Sequence, residues 1–162
     1  MGNPVKHTKT AQEALQSLMR LCARAERSSG DALRLMRRWG VADADAQRVV
    51  ARLIAERFID DRRYAECFVR EKINLSGWGA YKIKMSLRQK GVSQQIIEDV
   101  VEPMFGEVDM SERLEALLLR KLPTIKAKSN YDARAKLIRF GASRGFELDM
   151  VIECVNKIIL EE

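Results

Sequence analysis

The feature that most constrains the fold is an internal repeat marked by three glycines, Gly40, Gly91 and Gly145, which lie 51 and 54 residues apart. An apolar residue follows each glycine directly, and apolar residues recur six, nine, ten, thirteen and fourteen positions after it. After the first glycine these residues are Val41, Ala46, Val49, Val50, Leu53 and Ile54. This spacing is typical of one face of an amphipathic helix. A unit of about 50 residues rarely buries its apolar face alone, so the repeat predicts units that stack into an elongated, curved array.

The composition indicates helices throughout the chain. The 162 residues include 46% hydrophobic side chains, with only 3 prolines and 9 glycines. The alternation of apolar and polar residues that is typical of strands is nearly absent. We therefore predict an all-α fold of three tandem three-helix repeats. The predicted divisions are a mobile tail at 1–9, repeat 1 at 10–57, repeat 2 at 58–106 and repeat 3 at 107–162.

Two adjacent aspartates, Asp60 and Asp61, lie where the first helix of repeat 2 should begin. We expect them to cap that helix and, because they lie at the seam between two repeats, to set the angle between the units. A catalytic or metal-binding pair is the alternative, but the neighbouring sequence supplies no clear set of further oxygen, His or Cys ligands. Arg62 and Arg63 are expected to pair with the aspartates at the surface, where such pairs contribute little.

The net charge of +6 is unevenly spread, with +5 in residues 1–57, +1 in 58–106 and zero in 107–162. A basic excess favours polyanionic partners, although ordinary solvated helix faces would give the same count. The middle helix of every repeat is rich in basic residues, which makes these helices candidate contacts for phosphates or acidic side chains. The candidate contact residues are Arg34, Arg37 and Arg38 in repeat 1, Lys82, Lys84, Arg88 and Lys90 in repeat 2, and Arg134, Lys136, Arg139 and Arg144 in repeat 3.

The reactive side chains do not combine into a catalytic or metal site. Cys22, Cys67 and Cys154 are far apart in apolar helical patterns, so we expect buried, reduced thiols. His7, the only histidine, lies in the polar tail, and the chain has no Gly-rich phosphate loop. We therefore expect no enzymatic activity, cofactor or metal. No apolar run is long enough to cross a membrane and no signal sequence follows Met1, so a cytoplasmic protein in a reducing compartment is expected.

Two stretches, FIDDRRYA at 58–65 and WGAYKIKMSLRQKGVSQQIIEDVV at 78–101, together resemble the RecX family of regulatory proteins. The residues that carry the resemblance are Phe58, Ile59, Asp60, Asp61, Tyr64 and Ala65, extended by Gly79, Lys82, Ile83, Leu87, Lys90, Gly91 and Ile97. The flanking units agree in pattern, so the resemblance covers about 11–159.

The resemblance implies both an architecture and a function. Members of the RecX family are built of tandem three-helix repeats and are not enzymes. They bind RecA, lodge along the groove of the RecA–single-stranded DNA filament, and restrain filament growth, ATP hydrolysis and strand exchange. The resemblance therefore implies a regulator of homologous recombination and DNA repair in the SOS response, with RecA and single-stranded DNA as partners. We expect it to act as a monomer, with weak direct DNA binding as a further possibility.

Direct, sequence-reading DNA binding is the alternative, because a helix, a glycine turn and a second helix resemble a helix-turn-helix. A recognition helix should present basic and amide side chains from its first turns, whereas two of the three helices after the glycines begin with acidic residues. Only Gln94 and Gln95 could read bases, which argues against site-specific binding. Trp39 and Trp78 are either interface anchors or core-side residues, and we expect the latter.

Overall fold

The computed structural model describes residues 8–106 and 109–160, and within these ranges the chain forms nine α-helices and no strand. The helices are α1 (Ala11–Arg24), α2 (Ser29–Arg38), α3 (Asp43–Ala55), α4 (Asp61–Glu71), α5 (Ala80–Gln89), α6 (Gln94–Gly106), α7 (Met110–Lys121), α8 (Asn130–Ser143) and α9 (Leu148–Ile158). A π-helical turn, Lys72–Ser76, follows α4, and a 3-10 turn, Leu122–Thr124, follows α7. The structure confirms the predicted all-α fold of three three-helix units.

Each unit has its own apolar core, formed by the inward faces of its three helices. The fully buried side chains include Leu18, Met36 and Leu53 in the first unit, Ile83, Leu87 and Ile97 in the second, and Leu114, Leu118 and Leu137 in the third. The accessible surface is 10526 Å², whereas a compact monomer of this mass would expose about 8200 Å². The excess surface is what separate cores in an elongated array produce.

The three repeat glycines end the middle helices in the left-handed conformation, with φ of 74° at Gly40, 79° at Gly91 and 89° at Gly145. Glycine is favoured there because a Cβ atom would strain the backbone. The amide of the next residue then bonds back into the helix, as Val41 does to the carbonyl of Met36 at 3.0 Å. The apolar residue after each glycine is therefore buried and packs the turn against the core, as the sequence pattern predicts.

Neighbouring units meet where the start of one middle helix rests on the turn that ends the next middle helix. At the first seam, residues 28–30 at the start of α2 lie against the turn 89–91 after α5. At the second seam, residues 79–81 at the start of α5 lie against the turn 144–145 after α8. The same junction thus repeats along the array.

The mobile tail predicted for residues 1–9 lies outside the described residues up to position 7. Thr8 and Lys9 contact the turn after α2, where the Lys9 amide donates to the carbonyl of Trp39 at 3.0 Å. The Lys9 ammonium lies 2.9 Å from Ser17 Oγ. These two residues therefore cover the turn of the first unit in the position that a preceding repeat would occupy.

The cysteines differ in their environment. Cys154 is buried and Cys22 is half-buried, and burial raises the pKa of the Cys22 thiol. Cys67 is exposed, so the prediction that all three thiols are buried is wrong for this residue. Cys67 occupies an outward position of α4, beyond the inward face that carries the buried Tyr64 and Ala65.

Candidate interaction surface

The predicted basic residues of the first unit point away from its core. Arg34, Arg37 and Arg38 are all exposed on α2. Arg34 donates to the carbonyl of Gln89 across the first seam and lies 3.5 Å from Asp31. Within the part of the chain that the structure describes, the side chains of Arg37 and Arg38 have no hydrogen-bond or ion-pair partner. Two of these three cations are therefore available to an external anion.

The predicted basic residues of the second unit are held by neighbouring groups. Lys82 donates to the carbonyl of Ser143 at 3.2 Å across the second seam, and its ammonium lies 4.4 Å from the ring centre of Trp78. Lys84 pairs with Glu102, Arg88 donates to Gln94 Oε1 at 3.0 Å, and Lys90 lies 3.9 Å from Asp31 in the first unit. Most of these cations support the second unit and its two seams.

The third unit uses its predicted basic residues in the same internal way. Arg134 donates to Asn156 and to the carbonyl of Ile159 at the end of α9, and Lys136 pairs with Asp132 at 3.1 Å. Hydrogen bonds from the Lys128 amide and then from Lys136 lower the pKa of the Asp132 carboxyl.

The remaining two cations of the third unit also bond within the chain. Arg139 donates to the carbonyl of Ala135 at 3.4 Å on its own helix. Arg144 donates to the carbonyl of Ser76 at 3.3 Å across the second seam and stacks over Phe140 at 5.1 Å. The basic residues of the three middle helices therefore differ in their bonding. Those of the second and third units bond within the chain, whereas two of the three in the first unit have no partner among the described residues.

The fold gathers further arginines around α2 that the sequence reasoning did not select. Arg20 and Arg24 on α1 line one shallow depression beside Trp39, with a volume of about 250 Å³. Arg27 lines a second depression of about 220 Å³, together with Arg34, Arg38 and Lys90. A charge count for residues 1–57 is the sequence signal that could have found them.

Asp60 and Asp61, the two aspartates of the RecX-like stretch at 58–65, make separate contacts. Asp60 is the N-cap of α4 and accepts a hydrogen bond from the Arg63 amide at 3.0 Å. Asp61 reaches across the first seam and accepts from Ser29, from the amide at 2.7 Å and from the hydroxyl at 2.5 Å. The structure thus places one carboxylate on the local helix start and the other on the neighbouring unit.

The expected surface pairing of Arg62 and Arg63 with these aspartates is wrong. Arg62 lies 3.3 Å from Glu66, one turn along the same helix. Arg63 lies 2.6 Å from Glu26 in the first unit, and this hydrogen bond raises the pKa of the guanidinium. The carboxylates of Asp60 and Asp61 are already engaged by backbone and hydroxyl donors, which leaves the arginines to other partners.

Both tryptophans pack half-buried against the core of their own unit. The Lys9 ammonium lies 3.9 Å from the ring centre of Trp39. Trp78 meets Phe68 edge to face at 6.2 Å and carries Lys72 at 4.7 Å. Each ring therefore packs against the core of its unit and also makes a cation–π contact with a lysine ammonium.

The described residues offer neither a metal-binding cluster nor a membrane-spanning helix. In ranges 8–106 and 109–160, no group of three or more His, Cys, Asp or Glu side chains could hold a metal ion. No helix of these ranges is both long and apolar enough to cross a membrane.

Comparison with known proteins gives consistent matches over most of the chain. Family models for the second and third three-helix domains of RecX match residues 60–101 and 107–155. A regulatory protein RecX from Pseudomonas putida is 32% identical over 136 residues, covering 84% of this chain and 85% of the relative. One from Chlorobium phaeobacteroides is 29% identical over 147 residues, covering 91% of this chain and 94% of the relative.

Two solved structures share the fold. The crystal structure of RecX from Lactobacillus salivarius superposes with a TM-score of 0.73 at 20% identity, over 93% of this chain and 97% of that one. A second crystal structure of a regulatory protein RecX gives a TM-score of 0.75 at 22% identity, over 94% of this chain and 72% of that one.

Proposed function

This chain belongs to the RecX family of regulatory proteins, and on that basis we propose that it binds RecA and restrains the RecA–single-stranded DNA filament. The expected consequences are slower filament growth, ATP hydrolysis and strand exchange in recombination and DNA repair. The family is one of regulators rather than of enzymes. The observation that carries the proposal is the family match combined with an open array whose first unit turns unpaired arginines outward.

The geometry supports binding along a polyanionic, extended partner. Three separate cores give an array with a long surface, which suits the groove of a helical filament. Arg37 and Arg38 are exposed on α2 and have no partner in the described part of the chain, so an acidic or phosphate-bearing groove would gain from contact with them. The basic residues of the other units contribute less, because carboxylates and carbonyls of the chain already hold them.

The experiment is a titration of the DNA-dependent ATPase of RecA with the protein and three triple variants. The variants carry Ala at Arg34, Arg37 and Arg38, at Lys82, Lys84 and Arg88, or at Arg134, Lys136 and Arg139. We expect the first variant to raise the half-inhibiting concentration by at least about tenfold, since each exposed ion-pair contact that is lost costs up to about 1 kcal/mol and three cations are removed. The other two should change it by less than about threefold.

A matched control is R48A/R52A, which removes two arginines of the same unit that pair with Asp45 and Glu56 on α3. It should inhibit as the wild type does. Unchanged ATP hydrolysis and filament length with the wild-type protein would refute the proposed function. If all three triple variants inhibit fully, the basic residues are not part of the interface, although the proposed function still stands.

A further inference from the structure

A cleft of about 340 Å³ lies at the second seam, between the π-helical turn Lys72–Ser76 and α7. We propose that this seam cleft is a protein-binding site, which takes an apolar side chain of the partner together with a neighbouring acidic residue. The choice of RecA as the partner rests on the proposed function, whereas the chemistry of the occupant follows from the cleft itself. All of its lining residues belong to the second and third units, so it is separate from the unpaired arginines of α2.

Apolar side chains from both units share the lining of the seam cleft. Ile73 and Phe146 are buried, and Leu117 on α7 is half-buried. Leu75, in the π-helical turn, is 82% exposed. A protein interface needs apolar anchors that become fully buried at its centre. The cleft offers both parts of such a contact, because a partner can bury Leu75 and can also insert a side chain of its own.

The charged side chains that line the seam cleft are two arginines of α7. Arg113 donates to the carbonyl of Ile73 at 3.3 Å and to Asn74 Oδ1 at 3.4 Å, so it holds the π-helical turn against α7. Arg120 is exposed, and its side chain has no hydrogen-bond or ion-pair partner among the described residues. No carboxylate in the described part of the chain lines the cleft. An acidic residue of a partner would therefore complement Arg120.

The π-helical turn presents Leu75 in a fixed position. Such turns are rare and are frequently found at functional sites. Here the turn ends at Gly77, which has a φ of 63°. Arg113 holds it from α7, and Arg144 donates to the carbonyl of Ser76 at 3.3 Å from the end of α8. Because the third unit already orders this turn, little conformational entropy is lost when a partner covers Leu75.

The aromatic rings of the seam cleft favour a protein over a nucleic acid. Surfaces that bind single strands combine a positive groove with aromatic faces on which bases stack. The Trp78 ring already carries Lys72 at 4.7 Å and Lys82 at 4.4 Å, and Phe146 is buried. An apolar side chain needs no such free face. The volume of the cleft lies at the lower end of the range of about 300–1,000 Å³ for ligand pockets, which suits a single large side chain.

The test measures inhibition of the DNA-dependent ATPase of RecA, and cosedimentation with RecA–single-stranded DNA filaments, for full-length variants. Ala116→Trp fills the seam cleft from an exposed position on α7. It should raise the half-inhibiting concentration by at least about tenfold, because a few anchor contacts dominate an interface. Leu119→Trp is the matched control, since Leu119 is 48% exposed on the same helix and lies outside the cleft. It should inhibit as the wild type does.

Two further variants test the charge and the exposed leucine. Arg120→Glu reverses the unpaired charge and should weaken inhibition by about tenfold, whereas Arg120→Lys keeps the charge and should retain most of it. Leu75→Ala should weaken inhibition by at least about threefold. Both side chains are exposed, so urea unfolding of these variants should match that of the wild type.

The other outcomes overturn the proposal in distinguishable ways. If Ala116→Trp and Arg120→Glu inhibit as the wild type does, or if Leu119→Trp loses as much inhibition as Ala116→Trp, the seam cleft is not a RecA-binding site. Inhibition by the wild type leaves the proposed function intact in that case, whereas its absence refutes that function and the choice of RecA together. If Ala116→Trp and Arg120→Glu weaken binding of a labelled oligothymidylate without RecA by the same factor, the occupant is a nucleic acid and not a protein.

Discussion

The first and second seams place equivalent elements together but hold them with different groups. The first seam is held largely by side chains: Ser28 Oγ donates to the carbonyl of Lys90 at 2.6 Å, and Asp61 accepts from Ser29. The ion pair between Glu26 and Arg63 adds a third link. Several of these bonds require an ionised carboxylate.

The second seam relies more on the backbone. The amide of Gly79 donates to the carbonyl of Arg144 at 2.7 Å, and the amide of Tyr81 donates to the carbonyl of Gly145 at 3.2 Å. Side chains that help are cations bonding to carbonyls, such as Lys82 to Ser143. A repeated architecture therefore fixes where units meet, while the sequence of each unit decides which bonds hold them. The hydrogen bonds of the first seam should respond to changes in side-chain charge, whereas both seams should depend on the close approach of two backbones.

The largest expected effect comes from adding one methyl group at the second seam. A Cβ at Gly79 would lie 2.5 Å from the carbonyl carbon and closer still to the carbonyl oxygen of Gly145, and backbone atoms cannot move aside cheaply. The φ of Gly79 is −83°, so Ala is otherwise allowed there. We expect Gly79→Ala to lower the free energy of unfolding by about 3 kcal/mol or to undock the third unit. Urea unfolding and the radius of gyration from X-ray scattering measure the two outcomes.

Gly30→Ala applies the same test to the first seam. Its Cβ would lie 2.8 Å from Gly91 Cα and closer to the carbonyl oxygen of Lys90. In an exposed helix this substitution normally stabilises by up to about 1 kcal/mol, so a loss would show that close packing reverses the sign. Gly106→Ala is the control, because among the described residues no atom outside its chain neighbours and its own helix backbone lies within 4 Å of the added methyl group. Unchanged stability and shape in both seam variants would mean that the units do not meet as described.

The repeat and its helices could be predicted because the spacing of apolar residues is a local signal. The bonds of the first seam could not, since Ser29 and Asp61 lie 32 positions apart and Ser28 and Lys90 lie 62 apart. No local pattern reports such pairs. The glycine in the first turn of α2 was one available hint, because a glycine inside a helix costs about 1 kcal/mol relative to alanine and so indicates a packing reason.

The candidate contact residues were predicted from the recurrence of charge alone. Recurrence cannot show that Lys82 is held by Ser143, 61 positions away, or that Arg144 is held by Ser76, 68 positions away. Only the folded array separates the cations that support a seam from those, such as Arg38, that face outward. Whether any of these residues contacts a partner stays a prediction.

A pH dependence distinguishes the seams through Tyr64, which is buried in α4 near the first seam. Burial, and then the charges of Asp31 and Glu71, raise its pKa to about 12. The unfolded tyrosine ionises near about 10, so the stability gained from a neutral Tyr64 is complete below about pH 10 and is lost as pH rises toward 12. The full loss, reached above pH 12, should amount to about 2–3 kcal/mol, of which about 1.4 kcal/mol is reached at pH 11.

The measurement is urea unfolding of the wild type and of Tyr64→Phe at pH 8 and pH 11. The wild type should lose stability relative to Tyr64→Phe at the higher pH, since the variant has no phenol to ionise. Tyr81→Phe at the second seam is a matched control, because the Tyr81 side chain is 65% exposed. Equal pH dependence in all three proteins would contradict a buried, neutral Tyr64.

The smallest effect expected separates the two aspartates of the first seam. Asp61→Ala removes two hydrogen bonds to Ser29 and should cost about 2 kcal/mol. Asp60→Ala removes only the N-cap of α4 and should cost about 1 kcal/mol. Because Asp61 alone spans two units, its loss should also change the curvature of the array, visible as a shifted scattering profile, whereas loss of Asp60 should leave the shape unchanged.

The double variant D60A/D61A then tests whether this pair is structural or functional. It should melt at a lower temperature and show the altered shape of Asp61→Ala, and any weaker inhibition of RecA should follow from that shape. Loss of inhibition with unchanged melting temperature and scattering would assign the aspartates to the partner interface. In that case the carboxylate of Asp61 would contribute more to binding a partner than to the hydrogen bonds with Ser29. The first seam would then be stabilised mainly by its close glycine contact and less by its side-chain bonds.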